Sequence, residues 1–144
     1  MKYLVFKLDD SEFAVDVACV QSVVEYRGAA DAPSRVSCFR GVVEVRENLI
    51  PLYDLRVKLG LSAGRPDAES RIVIVEARRL DEDCLLGALV DGVSGVYDLE
   101  EADDLPLSGA SVFFSEDLID GFSRAGDRII TRLALKAFIE GFDS

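Results

Sequence analysis

The stretch from Phe39 to Leu61 reads FRGVVEVRENLIPLYDLRVKLGL and determines the fold class of this chain. Two apolar runs, GVVEV and LIPLYDL, are rich in β-branched and aromatic residues and flank a charged turn at Arg46-Glu47-Asn48, which is typical of a β-hairpin. Pro51 cannot donate a backbone hydrogen bond, so we expect it at a sheet edge or a bulge. The stretch therefore predicts two paired strands followed by a short helix.

The rest of the chain continues this pattern of short strands separated by polar turns. Strands are predicted at Tyr3–Leu8, Phe13–Val17, Arg71–Glu76, Leu85–Val90 and Arg128–Leu133, with an extended piece through Leu99. Asp16 is expected to cap a helical or irregular turn, with Val17, Val20, Val23 and Val24 on one face. Ala134 to Phe142 is predicted to be an amphipathic C-terminal helix. Together these elements predict an all-β sandwich or barrel with few helices.

A weak internal echo runs through the chain. The pattern Asp16-Val17-x-x-Val20 resembles Asp91-Gly92-Val93-x-x-Val96. This echo is a slight indication of two similar halves.

Composition limits both the size and the partners of the protein. The 144 residues are 49% hydrophobic, which is enough for one domain, or two tightly joined subdomains, with a sizeable core. The formal net charge of -11 argues against nucleic acid and anionic membrane surfaces as partners. Neither a secretory signal nor a membrane span is expected. Cys19, Cys38 and Cys84 lack CxxC pairing, so we expect buried, reduced thiols in a cytosolic protein.

The absence of histidine excludes much catalytic chemistry, including Ser-His and Cys-His pairs and His-ligated metals. Acidic runs at Asp81–Asp83 and Glu100–Asp104 could supply carboxylates, which makes a small acidic metal-dependent enzyme the alternative from another class. Their spacing fits no EF-hand or paired-acid motif, and no P-loop, GxGxxG or GxSxG is present. Solvated loop charge explains these runs better. We therefore predict no catalytic residue, no cofactor and no metal site.

Four blocks of the chain resemble the chemotaxis coupling protein (CheW) family in their order and spacing. They are YLVFKLDDSEFAVDVACVQSVVE, the hairpin stretch, RIVIVEA and LLGALVDGVSGV, which together span most of residues 2–96. The region that follows matches less closely. The resemblance implies one CheW-like domain over residues 1–144, all-β, with two intertwined five-stranded SH3-like β-barrel subdomains, short helices and a C-terminal helix.

The resemblance also implies a function. Members of the family are non-catalytic adaptors that couple chemoreceptors to a histidine kinase of the CheA type in the cytoplasm, beneath inner-membrane receptor clusters. The expected partners are this kinase and the cytoplasmic tip of a methyl-accepting chemotaxis receptor, without nucleic acid or membrane insertion. A divergent adaptor of another receptor-kinase system, such as one for surface motility, is the alternative within the fold.

Six apolar residues match family positions that line a receptor groove between the subdomains. They are Leu4, Val17, Val20, Val23, Val93 and Val96. The alternative for each is ordinary core, since buried valine is the common case. An exposed apolar patch would favour the groove.

Arg46 matches the arginine of the family's Asn-Leu-Arg-Gly turn, which the resemblance associates with receptor and kinase coupling and with holding the subdomains together. The alternative is a solvated turn arginine. Here the turn reads Glu44-Val45-Arg46-Glu47, which adds two carboxylates and loses the glycine. The carboxylates could partly neutralise Arg46 and change partner choice. If the usual glycine has a left-handed backbone, Glu47 carries a conformational cost or the turn differs.

Overall fold

The computed structural model describes residues 1–61, 64–79, 82–100 and 119–134. The strands in these ranges are β1 (Lys2–Leu8), β2 (Ser11–Asp16), β3 (Val20–Glu25), β4 (Phe39–Val45), β5 (Asn48–Asp54), β6 (Arg71–Arg79), β7 (Glu82–Val90), β8 (Gly92–Asp98), β9 (Ile119–Ala125) and β10 (Arg128–Leu133). A 3-10 turn (Val17–Cys19) precedes β3, and a short helix, α1 (Leu55–Lys58), follows β5.

The strands form two five-stranded sheets. Sheet A has the order β8-β1-β2-β10-β9, and sheet B has the order β3-β6-β7-β5-β4. Each sheet contains one parallel pair among antiparallel ones, β2 with β10 in sheet A and β5 with β7 in sheet B. The prediction of an all-β fold with two five-stranded units is confirmed.

The described strands show two crossings of the chain between the sheets. β1 and β2 belong to sheet A, β3 to β7 belong to sheet B, and β8 to β10 return to sheet A. At the first crossing the Asp16 carboxylate accepts a hydrogen bond of 2.9 Å from the Ala18 backbone N–H, so the predicted cap is correct. The predicted helical face is wrong, because only one 3-10 turn forms and Val20–Glu25 is a strand. Its β-branched residues favour extended backbone.

Buried apolar side chains form three clusters. One belongs to sheet B and includes Ile50, Leu52, Ile72 and Ile74, and one belongs to sheet A and includes Tyr3, Val5, Ala14 and Ile130. The third, which we call the shared cluster, lies between the sheets and includes Phe6, Phe13, Val73 and Val75. Successive residues of β1 and β6 alternate between a sheet's own cluster and the shared cluster. This double burial explains why β6 is apolar on both faces.

The β4–β5 hairpin forms as predicted. Val45 pairs with Asn48, which leaves Arg46 and Glu47 as the two turn residues. Pro51 pairs with Val42 on β4, whereas the described pairing of β5 with β7 covers only Leu52–Asp54. Pro51 thus occupies a part of β5 whose other edge is unpaired in the described structure, as its missing N–H requires.

One prediction about single residues is wrong in part, and two others fall on residues outside the described ranges. Cys38 is buried, but Cys19 and Cys84 are half-buried, so the prediction of three buried thiols is wrong for those two. The predicted C-terminal helix lies outside the described residues from 135 onward, as do residues 101–104 of the second acidic run. Within the described ranges, no helix has the length and apolar character that crossing a membrane requires.

Candidate functional site

β3 and β8, the first strands after each crossing, occupy equivalent places in the two sheets. Each is an edge strand; within the described residues β3 pairs with β6 and β8 pairs with β1. We call β3 and β8 the crossover strands. Val20 and Val23 lie on the first, and Val93 and Val96 lie on the second. An edge strand that carries apolar side chains is a natural docking element.

Four of the six predicted groove residues are buried or half-buried, either on the crossover strands or on the elements next to them. Leu4 is 5% exposed and belongs to the shared cluster. Val20 and Val93 are half-buried and pack against the same cluster, one from each crossover strand. Val17 is half-buried in the 3-10 turn, which contacts both β1 and β6. These four residues are closer to core than to open groove.

The other two predicted residues are surface residues. Val23 is 37% exposed and Val96 is 51% exposed, and Tyr97 beside it is 43% exposed. They belong to different sheets, since Val23 pairs with Val73 in sheet B and Val96 pairs with Leu4 in sheet A. We use the name crossover surface for these exposed side chains of the two crossover strands, Val23 on β3 and Val96 and Tyr97 on β8.

Both crossover strands contain the same irregularity. The register of β3 shifts between Val20 and Ser22, and the register of β8 shifts so that Ser94 is the extra residue between Val93 and Gly95. The hydroxyl oxygens of Ser22 and Ser94 are buried and have no hydrogen-bond partner among the described residues. A buried hydroxyl without a partner costs about 1–3 kcal/mol. Each crossover strand thus has a bulge at the matching place, Gln21 in β3 and Ser94 in β8, but the buried hydroxyl follows the bulged residue in β3 and belongs to it in β8.

The predicted coupling turn lies at the tip of the β4–β5 hairpin. The φ angles of Arg46 and Glu47 are 50° and 70°, so both residues are left-handed, as in a type I′ turn. Glycine and asparagine are the residues that such turns prefer. Glu47 therefore has the backbone expected where the family has glycine, and Arg46 shares this conformation, which was not predicted.

The side chains of the turn are accessible to a partner. Glu44, Arg46 and Glu47 are all exposed. In the described parts of the chain no ion pair joins Arg46 to either glutamate, so the guanidinium keeps its donors for another group. Leu49 pairs with Glu44 across the hairpin and is 75% exposed. The tip thus combines an arginine with an exposed leucine, and arginine is a frequent interface anchor.

A pocket of about 480 Å³ opens beside this tip, between β3 and β4. These are the two end strands of sheet B, so the sheet is open where they face each other. The pocket wall includes the apolar residues Val24, Val43, Val45 and Ile72, and charged residues including Glu25, Arg27, Glu44 and Arg46 also line it. This pocket could not be predicted, because it exists only once β3 has crossed into sheet B.

An arginine that was not predicted joins the β1–β2 turn to the second crossing. Arg56 in α1 forms two ion pairs of 2.6 Å, from Nη2 to Asp9 Oδ1 and from Nη1 to Asp91 Oδ2. The Arg56 side chain is 15% exposed. Burial by itself would lower the pKa of Arg56, but Asp91 and Asp9 outweigh it and raise the pKa. We call these three residues the Arg56 cluster, which ties α1 to the β1–β2 turn and to the second crossing.

The described residues contain no group of three or more Cys, Asp or Glu side chains that could hold a metal ion. Burial raises the pKa of the Cys19 thiol, and Asp16 and Glu76 raise it further. Burial also raises the pKa of Cys38. Because nucleophilic cysteines need a lowered pKa, these two thiols are poor candidates for catalysis.

Comparison with known proteins gives consistent matches over the whole chain. The family model described as CheW-like domain matches residues 2–142. The chemotaxis protein CheW of Thermotoga maritima is 31% identical over 137 residues, which cover 95% of this chain and 86% of that protein. The probable chemotaxis protein CheW of Rhizobium etli is 25% identical over 141 residues, covering 98% and 88% of the two chains.

A solved structure has the same fold. The crystal structure of scaffolding protein TtCheW from Thermoanaerobacter tengcongensis aligns with a TM-score of 0.76 at 24% sequence identity. The alignment covers 94% of this chain and 89% of that one. The arrangement of two five-stranded sheets is therefore shared.

Proposed function

The chain belongs to the CheW-like domain family, and from this premise we propose that it is a non-catalytic chemotaxis adaptor that couples chemoreceptors to a CheA-type histidine kinase. The observation that carries the proposal is the presence of two exposed surfaces on different strands. One is the crossover surface, and the other is the hairpin tip with Arg46 and Leu49. An adaptor needs two such surfaces, because it must hold both partners at once.

The crossover surface is suited to the apolar face of a receptor's helical hairpin tip. Val23 and Val96 are exposed, while Val20 and Val93 behind them rest on the shared cluster. A partner helix would thus meet apolar side chains on a packed base, at about 25 cal/mol per Å² of apolar surface removed from water. Leu4 and Val17 belong to this base and support the contact from beneath.

The hairpin tip is suited to a partner that recognises charge. Arg46 is exposed and unpaired within the described residues, and Glu44 and Glu47 flank it. Such charges chiefly control association rate and partner choice, and Leu49 can add apolar contact. We assign this surface to the kinase, with a further effect on receptor coupling.

The working unit and its place in the cell are parts of the same proposal. The whole chain, residues 1–144, acts as one domain, because the shared cluster and the Arg56 cluster unite the two sheets. It works in the cytoplasm at inner-membrane receptor clusters, without nucleic acid, cofactor or direct membrane insertion.

A second candidate function is that of an adaptor for another receptor-kinase system, such as one for surface motility. Glu44 and Glu47 support it, since they place two carboxylates beside Arg46. A partner adapted to a glycine turn would meet additional negative charge here, which would select against it.

Affinity capture from the native host tests the proposal. Tagged wild type, Val96→Glu, Arg46→Ala and two control variants are compared by quantitative mass spectrometry. The controls are Ile129→Glu and Arg124→Ala, which change exposed residues outside both surfaces. All variants are first checked by circular dichroism for an unchanged fold.

The two surfaces should give different patterns of loss. We expect Val96→Glu to reduce receptor recovery about tenfold or more while the kinase is retained, because a charge would replace an apolar contact. Arg46→Ala should reduce recovery of the kinase and, to a lesser degree, the receptor. Both controls should behave as wild type. Recovery of neither partner by wild type would contradict the proposed adaptor function.

A further inference from the structure

The described strands divide into two halves with the same plan. The N-terminal half contains β1 to β5 and the C-terminal half contains β6 to β10. Each half consists of a hairpin, a single crossover strand and a second hairpin. Residues 59–70 connect the two halves.

Apart from one isolated bridge between Ala30 and Val42, all described pairings other than those within hairpins join one half to the other. β1 pairs with β8, β2 with β10, β3 with β6, and β5 with β7. Among the described strands, neither half by itself therefore has a sheet of more than two strands. An isolated two-stranded hairpin is at best marginally stable in water. Each half needs the other in order to fold.

Side chains reinforce this mutual dependence. Within the shared cluster, Phe6 and Phe13 come from the N-terminal half and Val73 and Val75 come from the C-terminal half. The ion pair from Arg56 to Asp91 also joins the halves. The two halves thus offer each other complementary backbone edges, apolar surface and charge.

We propose that the chain can exchange halves with a second copy of itself. The strand pairings do not require that both halves come from one chain, and a second copy offers the same complementary half. Residues 60–69 span at most roughly 33 Å when extended, and Gly64 to Glu69 are all exposed. The strand pairings include none of the described residues 60–61 and 64–69, and exchange of an identical element between copies is a low-cost route to dimers.

The exchanged dimer contains two complete units, each built from the N-terminal half of one copy and the C-terminal half of the other. Each unit then takes β3 from one chain and β8 from the other, so each crossover surface is composite. A short flexible linker gives an effective concentration on the order of millimolar. The monomer should therefore dominate at about 10 µM, and exchanged dimers should form when refolding occurs near 1 mM.

Cleavage of the connection distinguishes exchange from ordinary dimerisation. A protease site is placed at residues 64–68 of the full chain, and the protein is refolded from urea at about 10 µM and at about 1 mM. Both samples are diluted to the same concentration and sized by light scattering before and after cleavage. A control variant carries the site at Pro33-Ser34, an exposed position within the N-terminal half.

We expect a monomer after refolding at low concentration. After refolding at high concentration roughly half of the protein should be dimeric, because the protein concentration then equals the millimolar effective concentration of the linked halves. Cleavage at residues 64–68 should convert the dimer into monomer-sized units that keep both fragments. Cleavage at Pro33-Ser34 should leave the dimer intact, because the connection between the halves remains. Absence of any dimer, or a dimer that survives cleavage at residues 64–68, would overturn the proposal.

Discussion

The junction between the two sheets and the tip of the β4–β5 hairpin are built in opposite ways. At the junction, Phe6 and Phe13 are 2% and 1% exposed with ring centroids 6.1 Å apart, and Arg56 bridges two carboxylates. At the tip, Arg46 and Glu47 are exposed and have left-handed backbones. At the junction, buried side chains from both sheets contact one another. At the tip, the conformation of the turn is held chiefly by the pairing of β4 with β5.

This difference indicates how stability and recognition are divided in the molecule. A strained backbone persists only where the surrounding structure determines it, and such positions cluster at functional sites. Substitutions at the junction should therefore reduce the free energy of unfolding of both sheets together. Substitutions at the tip should change partner binding while the fold is retained.

Phe13→Ala tests the junction with the largest expected effect. It should lower the free energy of unfolding by about 3–5 kcal/mol, because Phe13 is buried in the cluster that both sheets share. Urea unfolding followed by circular dichroism measures this loss. Ile129→Ala, at a residue 45% exposed, is the control and should stay within about 0.5 kcal/mol. Separate transitions of the two sheets would show that the shared cluster does not make them unfold together.

Arg56→Gln tests the charged part of the junction. We expect the free energy of unfolding to fall by about 1–3 kcal/mol, because Asp9 and Asp91 would be left without their cation. The lower part of this range is favoured, since the Asp9 side chain is 51% exposed and water screens it. A double-mutant cycle with Asp91→Asn isolates the pair energy. A coupling energy near zero would show that the ion pair between Arg56 and Asp91 does not hold α1 to the second crossing.

Glu47→Gly tests backbone strain at the tip. Unlike the two junction variants, it should raise the free energy of unfolding. Glycine tolerates a φ of 70°, so the variant should gain about 1 kcal/mol in the free energy of unfolding. Glu44→Gly, three residues earlier on β4, should instead lose about 0.5–1 kcal/mol because a strand disfavours glycine. Thermal unfolding of both variants provides the measurement. Equal losses in the two would contradict the assignment of strain to the turn.

Ser22→Ala and Ser94→Ala extend the comparison to the crossover strands, with the smallest expected effect. Each should leave the free energy of unfolding unchanged or raise it by up to about 1 kcal/mol. The reason is that the hydroxyl it removes is buried without a partner in the described structure. Ser123→Ala is the matched control, since the Ser123 hydroxyl donates to the Glu100 carbonyl at 2.8 Å. In the control, the free energy of unfolding should fall by about 1 kcal/mol. Similar losses at all three serines would show that Ser22 and Ser94 have partners.

Much of the fold could be predicted because it follows from local patterns. The alternation of apolar residues and the turn residues identified the hairpins, and β10 has the predicted bounds. The echo between the segments at Asp16 and Asp91 falls where the chain crosses between the sheets. β3 was predicted incorrectly because its valines fit a helical face. In the structure these residues form a strand that pairs with β6.

The candidate site was less accessible to sequence reasoning. The identity of a valine does not reveal its exposure, so Val20 and Val23 could be separated only by the structure. Asp9, Arg56 and Asp91 are far apart in the chain, and only the crossings bring them together. The missing glycine did indicate strain at Glu47, because the backbone of a two-residue hairpin is local.

In the proposed function, one molecule holds a receptor and a kinase at the same time. The most direct test mixes the purified protein with the receptor's cytoplasmic tip and the kinase's regulatory domain and determines the mass of the complexes by light scattering. We expect one complex that contains all three components, and we expect Val96→Glu to release only the receptor fragment. If the receptor fragment and the kinase domain displace each other from the wild-type protein, the two surfaces are not independent and the adaptor account is wrong.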